Sequence, residues 1–168
     1  MKIGIFYGSS TGNTEAAAQA IAKTLADAGE VRIAGIAETA FAVFANYDAL
    51  ILGASTWGIG DIQDDWTGKD DFSGVDLSGK KVAVFGTGDQ ESFGDTFVDA
   101  VGILAKAAER AGATLIGAWP TNGYDYSSSA AEREGKFLGL ALDDDNQDDQ
   151  TDERIAAWCA QLKEELAG

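Results

Sequence analysis

The chain reads Gly8-Ser9-Ser10-Thr11-Gly12-Asn13-Thr14 directly behind an apolar run at residues 3–7. This pattern predicts a strand, a short loop and the beginning of a helix. Backbone N–H groups in the first turn of a helix lack partners within it, and the helix dipole favours an anion there. The loop has hydroxyl groups but no Lys or Arg, so it would hold a phosphate through amides and hydroxyls. A capped strand–helix turn that binds nothing is the alternative.

Apolar stretches alternate with helical patterns along the rest of the chain. Strands are predicted at residues 2–7, 31–36, 49–53, 82–86 and 114–119, and helices at 13–28, 39–46, 97–108 and 151–166. Strands that are apolar along their whole length are typical of a parallel sheet covered by helices on both faces. We therefore expect an α/β fold with a doubly wound, five-stranded parallel sheet.

One polar segment interrupts this alternation. Residues 120–137 are rich in Gly, Asn, Tyr, Asp and Ser, and an apolar run at 137–142 follows them. We interpret the segment as an insertion that splits the fifth strand of a single domain spanning residues 1–168. Near the C-terminus, Thr151 is the predicted N-cap of the last helix. The Asp run at 143–149 is interpreted as a solvated turn, because it lacks the spacing and the Gly of a calcium loop.

The composition excludes several classes of function. The 168 residues include 28 acidic and 12 basic side chains, a net charge of −16, which repels nucleic acid and anionic membranes and attracts basic proteins. With no His and one Cys, the chain cannot form a Ser-His-Asp or Cys-His hydrolase site or a cysteine-rich metal site. No signal peptide and no membrane-spanning run are evident, so a cytoplasmic location is expected.

Three predicted loops would meet at the carboxyl ends of the strands, where open parallel sheets bind ligands. The first loop is residues 8–14, the second is residues 55–60 and the third is residues 86–95. Trp57 and Phe93 each offer a flat ring, and glycines beside them allow close approach of the backbone. Together the loops predict a site for a planar ring with a phosphate tail. Alternatively, Trp57 covers the sheet edge and Phe93 anchors the next helix.

Over essentially its whole length the chain resembles a flavodoxin of the long-chain type. The resemblance implies the strand order 2-1-3-4-5, known for flavodoxins, with flavin mononucleotide (FMN) bound non-covalently where the order reverses. It implies a low-potential one-electron carrier that shuttles between semiquinone and hydroquinone, and not an enzyme. The motifs that carry it are residues 8–14, 56–60, 86–90, 121–126, 135–143, 145–147 and 151–154.

The resemblance also assigns cofactor-binding residues, and it implies neither catalytic residues nor a metal. The FMN phosphate is expected at the first loop, the ribityl chain beside Ser55 and Asp145, and the ring between the second and third loops. Many relatives have Tyr where this chain has Phe93, and many have Pro where it has Ser55. The expected contacts are, for the phosphate, Ser9, Ser10, Thr11, Gly12, Asn13 and Thr14; for one side of the ring, Thr56, Trp57, Gly58, Ile59 and Gly60; and for the other, Thr87, Gly88, Asp89 and Phe93.

The family implies redox partners with basic docking faces. These are a ferredoxin/flavodoxin–NADP reductase as donor and acceptors such as nitrogenase or photosystem components; a monomer is expected. An FMN-dependent NAD(P)H:quinone oxidoreductase on the same fold is the alternative, but no basic cluster for a pyridine dinucleotide is evident. A phospho-acceptor domain would need an acidic pair after the first strand, where this chain has Gly8 and Ser9.

Overall fold

The computed structural model describes all residues, 1–168, and is built on a central parallel sheet. Three long helices cover that sheet: α1 (Asn13–Thr24), α2 (Asp99–Arg110) and α3 (Thr151–Ala167). Short 3-10 helices lie at Ile36–Glu38, Phe41–Asn46, Asp64–Trp66 and Asp148–Gln150. The strands are β1 (Lys2–Tyr7), β2 (Glu30–Gly35), β3 (Ala49–Trp57), β4 (Asp61–Ile62), β5 (Lys81–Thr87), β6 (Thr114–Leu115), β7 (Trp119–Pro120), β8 (Glu132–Arg133), β9 (Lys136–Phe137) and β10 (Leu140–Leu142).

The five main strands have the predicted order. β1 pairs in parallel with β2 on one side and β3 on the other, and β3 pairs in parallel with β5. The fifth strand consists of two pieces, β6 and β10, which both pair in parallel with β5. Thr114 lies opposite Lys81 at one end of β5, and Leu142 lies opposite Thr87 at the other. The predicted order 2-1-3-4-5 and the split last strand are therefore confirmed.

The segment between β6 and β10 forms a small antiparallel sheet of its own. In that sheet β9 lies between β7 and β8, and Trp119 pairs with Phe137. We predicted both residues within the fifth strand, but pairing with β5 stops after Leu115 and resumes at Leu140. Phe137 instead packs against the rings of Phe97, Tyr124 and Tyr126 at centroid distances of 5.9, 5.2 and 5.3 Å.

Side chains of the central strands alternate between two hydrophobic layers. Ile51 of β3 packs on the α1/α3 side, whereas Leu50 and Leu52 pack on the α2 side. In β5, Phe85 joins the first layer and Val84 the second. This explains why these strands are apolar at every position.

Several helix ends differ from the predictions: α2 spans Asp99–Arg110 rather than residues 97–108, and the helix predicted at 39–46 is the 3-10 helix Phe41–Asn46. α1 ends at Thr24 rather than at residue 28, because residues 25–28 form a turn in which the Ala28 N–H donates to the Leu25 carbonyl at 2.9 Å. Thr151 is the first helical residue of α3 rather than its N-cap, and its hydroxyl donates to Asp144. None of the helices has the length and apolar character needed to cross a bilayer.

Candidate functional site

A cavity of about 360 Å³ opens at the carboxyl ends of β1, β3, β5 and β10. Residues from all three predicted loops line it, together with two carboxylates that follow β10. Asp144 lines the cavity although the sequence analysis did not single it out; its position beside Asp145 was the available signal. The lining residues are Thr11, Asn13, Ser55, Thr56, Trp57, Gly58, Thr87, Gly88, Asp89, Phe93, Asp144 and Asp145.

Six predicted site residues do not line this cavity. They belong to the first and second loops, as several lining residues do, but they lie outside the cavity wall. Most of them are exposed or partly exposed, whereas Thr14 is buried. These residues are Ser9, Ser10, Gly12, Thr14, Ile59 and Gly60.

The first loop presents backbone amides that have no partner in the protein. The N–H groups of Ser10, Thr11, Asn13 and Thr14 donate to no protein acceptor, whereas the Gly12 N–H donates to Ser9 Oγ at 3.1 Å. Gly12 has φ +96°, a left-handed conformation that favours Gly, and it is the N-cap residue that precedes α1. Unpartnered amides at a helix N-terminus form an anion-binding site.

Hydroxyl groups of the first loop are held by neighbouring elements. Ser10 Oγ accepts a hydrogen bond from Gln63 Nε2 at 2.9 Å. The buried hydroxyls of Thr14 and Thr87 lie 3.3 Å apart, which joins α1 to the end of β5. The loop therefore combines neutral donors with a fixed shape.

The second loop carries an aromatic ring and a flexible turn. Trp57 is half-buried at the end of β3, and its carbonyl accepts a hydrogen bond from the Gly60 N–H at 3.2 Å. Within the turn, Gly58 has φ +53°, and Ile59 is 87% exposed. Thr56 lines the cavity, but its hydroxyl accepts a hydrogen bond from the Ala100 N–H in the first turn of α2 at 2.8 Å.

A buried carboxylate fixes the third loop. Asp143 is fully buried, so the prediction that the whole 143–149 run is a solvated turn is wrong for this residue. Its carboxylate accepts hydrogen bonds from Gln90 N and Nε2 at 3.0 and 2.7 Å and from the backbone and side chain of Asn146. An acidic residue directly behind a buried strand was the sequence signal for this role.

The polar segment of the split strand also supports the third loop. The Asp125 N–H donates to Gln90 Oε1 at 2.6 Å, and the N–H groups of Ser127 and Ser128 donate to the Gly94 carbonyl at 2.8 and 3.0 Å. Phe93, which lies between these two anchors, remains 42% exposed at the cavity. Contacts on both sides therefore fix the backbone that presents its ring.

The cavity is lined by carboxylates and by no basic side chain. Burial raises the pKa of Asp145 above its usual value, and the charges of Asp89, Asp143 and Asp144 raise it further. Burial also acts to raise the pKa of Asp89, but hydrogen bonds from Ser92, Asn146 and Glu91 outweigh that effect and lower it. Additional negative charge in the cavity is therefore disfavoured, except at the amides of the first loop.

The arrangement suits binding rather than acid–base or metal chemistry. The first loop offers unpartnered amides for an anion, and the rings of Trp57 and Phe93 provide apolar surfaces in the cavity wall. The structure contains no group of three or more acidic or cysteine side chains placed to hold a metal ion. A planar, mostly apolar molecule with an anionic tail fits these features.

Replacing Asp143 by Asn should destabilise the protein by about 2 kcal/mol, because an NH₂ group would then face hydrogen-bond donors of Gln90 and Asn146. Urea unfolding followed by tryptophan fluorescence measures the change. Asp148→Asn, at an exposed position, is the control and should leave stability within about 0.5 kcal/mol. Equal effects of the two substitutions would contradict the role assigned to Asp143.

Comparison with known proteins places the chain among close relatives. The family profile described as Flavodoxin matches residues 5–158. The chain is 48% identical over 163 residues to a flavodoxin of Picosynechococcus sp., with 96% of each chain covered. It is 48% identical over 167 residues to a flavodoxin of Trichodesmium erythraeum, with 98% of each covered. The solved structure of a Fusobacterium nucleatum flavodoxin bound to flavin mononucleotide superposes with a TM-score of 0.90 at 30% identity, covering 98% of both chains.

Proposed function

The chain belongs to the flavodoxin family, and on that premise we propose that its cavity holds FMN through the residues predicted from the sequence. It is an FMN electron carrier and not an enzyme, so the predicted function and cofactor are confirmed. The assignment of single residues, the partners and the subtype are proposals supported by the geometry below.

The observation that carries the site assignment is the set of unpartnered amides in the first loop. The N–H groups of Ser10, Thr11, Asn13 and Thr14 fit a phosphate monoester, which needs several donors and no covalent partner. Ser9, Gly12 and the hydroxyl of Thr11 complete the loop. Ser55 and Asp145, both in the cavity wall, are assigned to the ribityl chain.

The ring of FMN is assigned to the space between the second and third loops. Trp57 and Phe93 line this space and offer stacking surfaces, and Thr87, Gly88 and Asp89 form its floor. Thr56 also lines this space, whereas Ile59 and Gly60 lie outside the cavity wall and are assigned to shaping the turn that contains Gly58. When bound, FMN supplies the one-electron redox chemistry, and the protein tunes it.

The Gly58 carbonyl is assigned a role as a hydrogen-bond acceptor for the reduced ring. Gly58 has φ +53°, and a Cβ there would find only Asp61 Oδ2, at 3.9 Å. The backbone at this position can therefore rotate more freely than at a residue with a side chain. We assign the Gly58 carbonyl as the acceptor of a hydrogen bond from the N–H group that the ring would gain on reduction.

The carboxylates around the cavity make the carrier strongly reducing. A carboxylate about 10 Å from an added electron costs about 1.7 kcal/mol at an effective dielectric constant near 20, or about 70 mV. Salt and water reduce this figure for exposed groups. Asp89, Asp144 and Asp145 all lie in the wall, and no cation there offsets them.

The surface and the split strand support further proposals. The net charge of −16 favours brief docking to redox proteins with basic faces, such as a ferredoxin/flavodoxin–NADP reductase, nitrogenase or photosystem components. The segment between β6 and β10 supports assignment to the long-chain type in one FMN-binding domain over residues 1–168. Action as a monomer and a cytoplasmic location stay predictions.

The function is tested by adding FMN to the apoprotein and measuring electron transfer. We expect one FMN to bind per chain, and reduction by NADPH to require a ferredoxin–NADP reductase, at a rate that falls with added salt. Rapid oxidation of NADPH by the loaded protein alone would favour the oxidoreductase alternative. A protein that retains no FMN after the unbound flavin is removed would contradict both functions.

Gly58→Val should bring the two one-electron potentials of the bound flavin closer together, by about 60 mV or more, because a β-branched residue at φ +53° costs about 1–2 kcal/mol and restricts the peptide. A potentiometric titration with absorbance detection measures the separation. Gly68→Val is the control, since Gly68 also has positive φ and open space around it but lies outside the cavity. An unchanged separation in Gly58→Val would refute the assignment.

Asp145→Asn should raise the lower of the two potentials by up to about 70 mV, because it removes one negative charge from the cavity wall. Glu164→Gln removes the same charge near the far end of α3, about 20 Å along the helix from its first turn, and should shift the potential much less. Equal shifts in the two variants, or none in Asp145→Asn, would contradict the electrostatic explanation.

A further inference from the structure

Gln63 is a fully buried polar residue that connects the second loop to the first. It follows β4, and its backbone N–H donates to the Ser55 carbonyl at 3.0 Å. Its side-chain Oε1 accepts a hydrogen bond from the Asp65 N–H at 3.0 Å, and its Nε2 donates to Ser10 Oγ at 2.9 Å. No feature of the sequence singled it out.

The hydrogen bonds of Gln63 fix the direction of the Ser10 hydroxyl. A backbone N–H can only donate, so the atom facing Asp65 must be the amide oxygen. The other amide atom is then nitrogen, which has no acceptor capacity, so Ser10 Oγ must accept from it. The Ser10 proton is consequently directed away from Gln63 and is available to another acceptor, and Ser10 itself is exposed.

Gly8 leaves the space that Gln63 occupies. A Cβ at residue 8 would lie 2.2 Å from Gln63 Oε1 and 2.9 Å from the Trp66 ring. Neither side chain can move far, since both are fully buried. Gln63 can therefore occupy its buried position only because residue 8, the first of the loop, has no side chain.

We propose that Gln63 is a positioning residue for phosphate binding, which orients the Ser10 hydroxyl as a donor to the phosphate of FMN. It acts through Ser10 and does not itself line the cavity. The inference rests on the proposed function, because it requires the FMN phosphate to lie at the first loop. Its effect should therefore be specific to FMN and absent with riboflavin, which lacks the phosphate.

The test compares the dissociation constants of FMN and riboflavin, measured by quenching of flavin fluorescence with apoprotein. In Gln63→Glu, the second carboxylate oxygen replaces Nε2 and accepts the Ser10 proton, which turns that donor inward. Gln63→Leu removes the bond but leaves the hydroxyl free to rotate. Ser10→Ala removes the donor, and each Gln63 variant is also made in that background.

Gln161→Glu on α3, where Nε2 donates to the Ala118 carbonyl, is the matched control.

Gln63→Glu and Ser10→Ala should each weaken FMN binding about tenfold or more, which is the loss expected for one hydrogen bond to a charged group. Gln63→Leu should weaken it less, and riboflavin binding and Gln161→Glu should be nearly unchanged. In the Ser10→Ala background, Gln63→Glu should reduce FMN affinity clearly less than in the original protein, because the hydroxyl that Gln63 orients is absent.

Three results would overturn the proposal. One is equal loss of FMN and riboflavin binding in both Gln63 variants, which would indicate only a structural role. Another is an equal loss of FMN affinity on Gln63→Glu in the original protein and in the Ser10→Ala background, because the negative charge of Glu alone would explain that result. The third is full FMN affinity in Gln63→Glu. If the unmodified protein binds FMN no more tightly than riboflavin, the proposed function itself fails, and that result is obtained before any variant is compared.

Discussion

The Gly53 carbonyl oxygen is the point on which the site depends. It accepts hydrogen bonds from the Gly8 N–H at 3.0 Å and from Trp66 Nε1 at 2.9 Å. The first bond ties the beginning of the first loop to β3, and the second ties in the 3-10 helix that follows Gln63. Residue 53 has to be Gly, because a Cβ there would lie 2.1 Å from the Phe85 ring in the neighbouring strand. Close packing inside the sheet and the position of the first loop therefore depend on the same residue, Gly53.

Charge is distributed so that an anion is accepted at one place and opposed elsewhere. Unpartnered amides at the beginning of α1 suit an anion, while carboxylates from the third loop and the turn after β10 line the rest of the cavity. Several lysines are engaged away from the cavity: Lys80 donates to the Tyr47 carbonyl and Lys81 to the Glu165 carbonyl. The protein can therefore bind a doubly charged tail and still disfavour a further electron on the ring.

Much of the fold followed from periodicity, because strands buried on both faces are apolar at every position and are easily recognised. The three loops that line the cavity were also predictable, because each follows a buried parallel strand and such loops meet at the same edge of the sheet. The buried role of Asp143 was missed although its position directly behind a buried strand indicates it, and Gln63 and the ends of the split strand had no such signal. Asp143 lies in a run of exposed acids, Gln63 is buried only through contacts distant in sequence, and Phe137 leaves the sheet because aromatic partners from elsewhere attract it. The burial of Gln63 and the departure of Phe137 from the sheet depend on tertiary contacts that no local pattern encodes.

The segment that divides the fifth strand supports the loop that carries Phe93. Gln90 Oε1 and the Gly94 carbonyl both receive donors from residues 125–128. In a relative whose edge strand ran without interruption, these acceptors would have to find water or new side chains. The two segments are therefore expected to change together during evolution, and an engineer who shortened one would have to redesign the other.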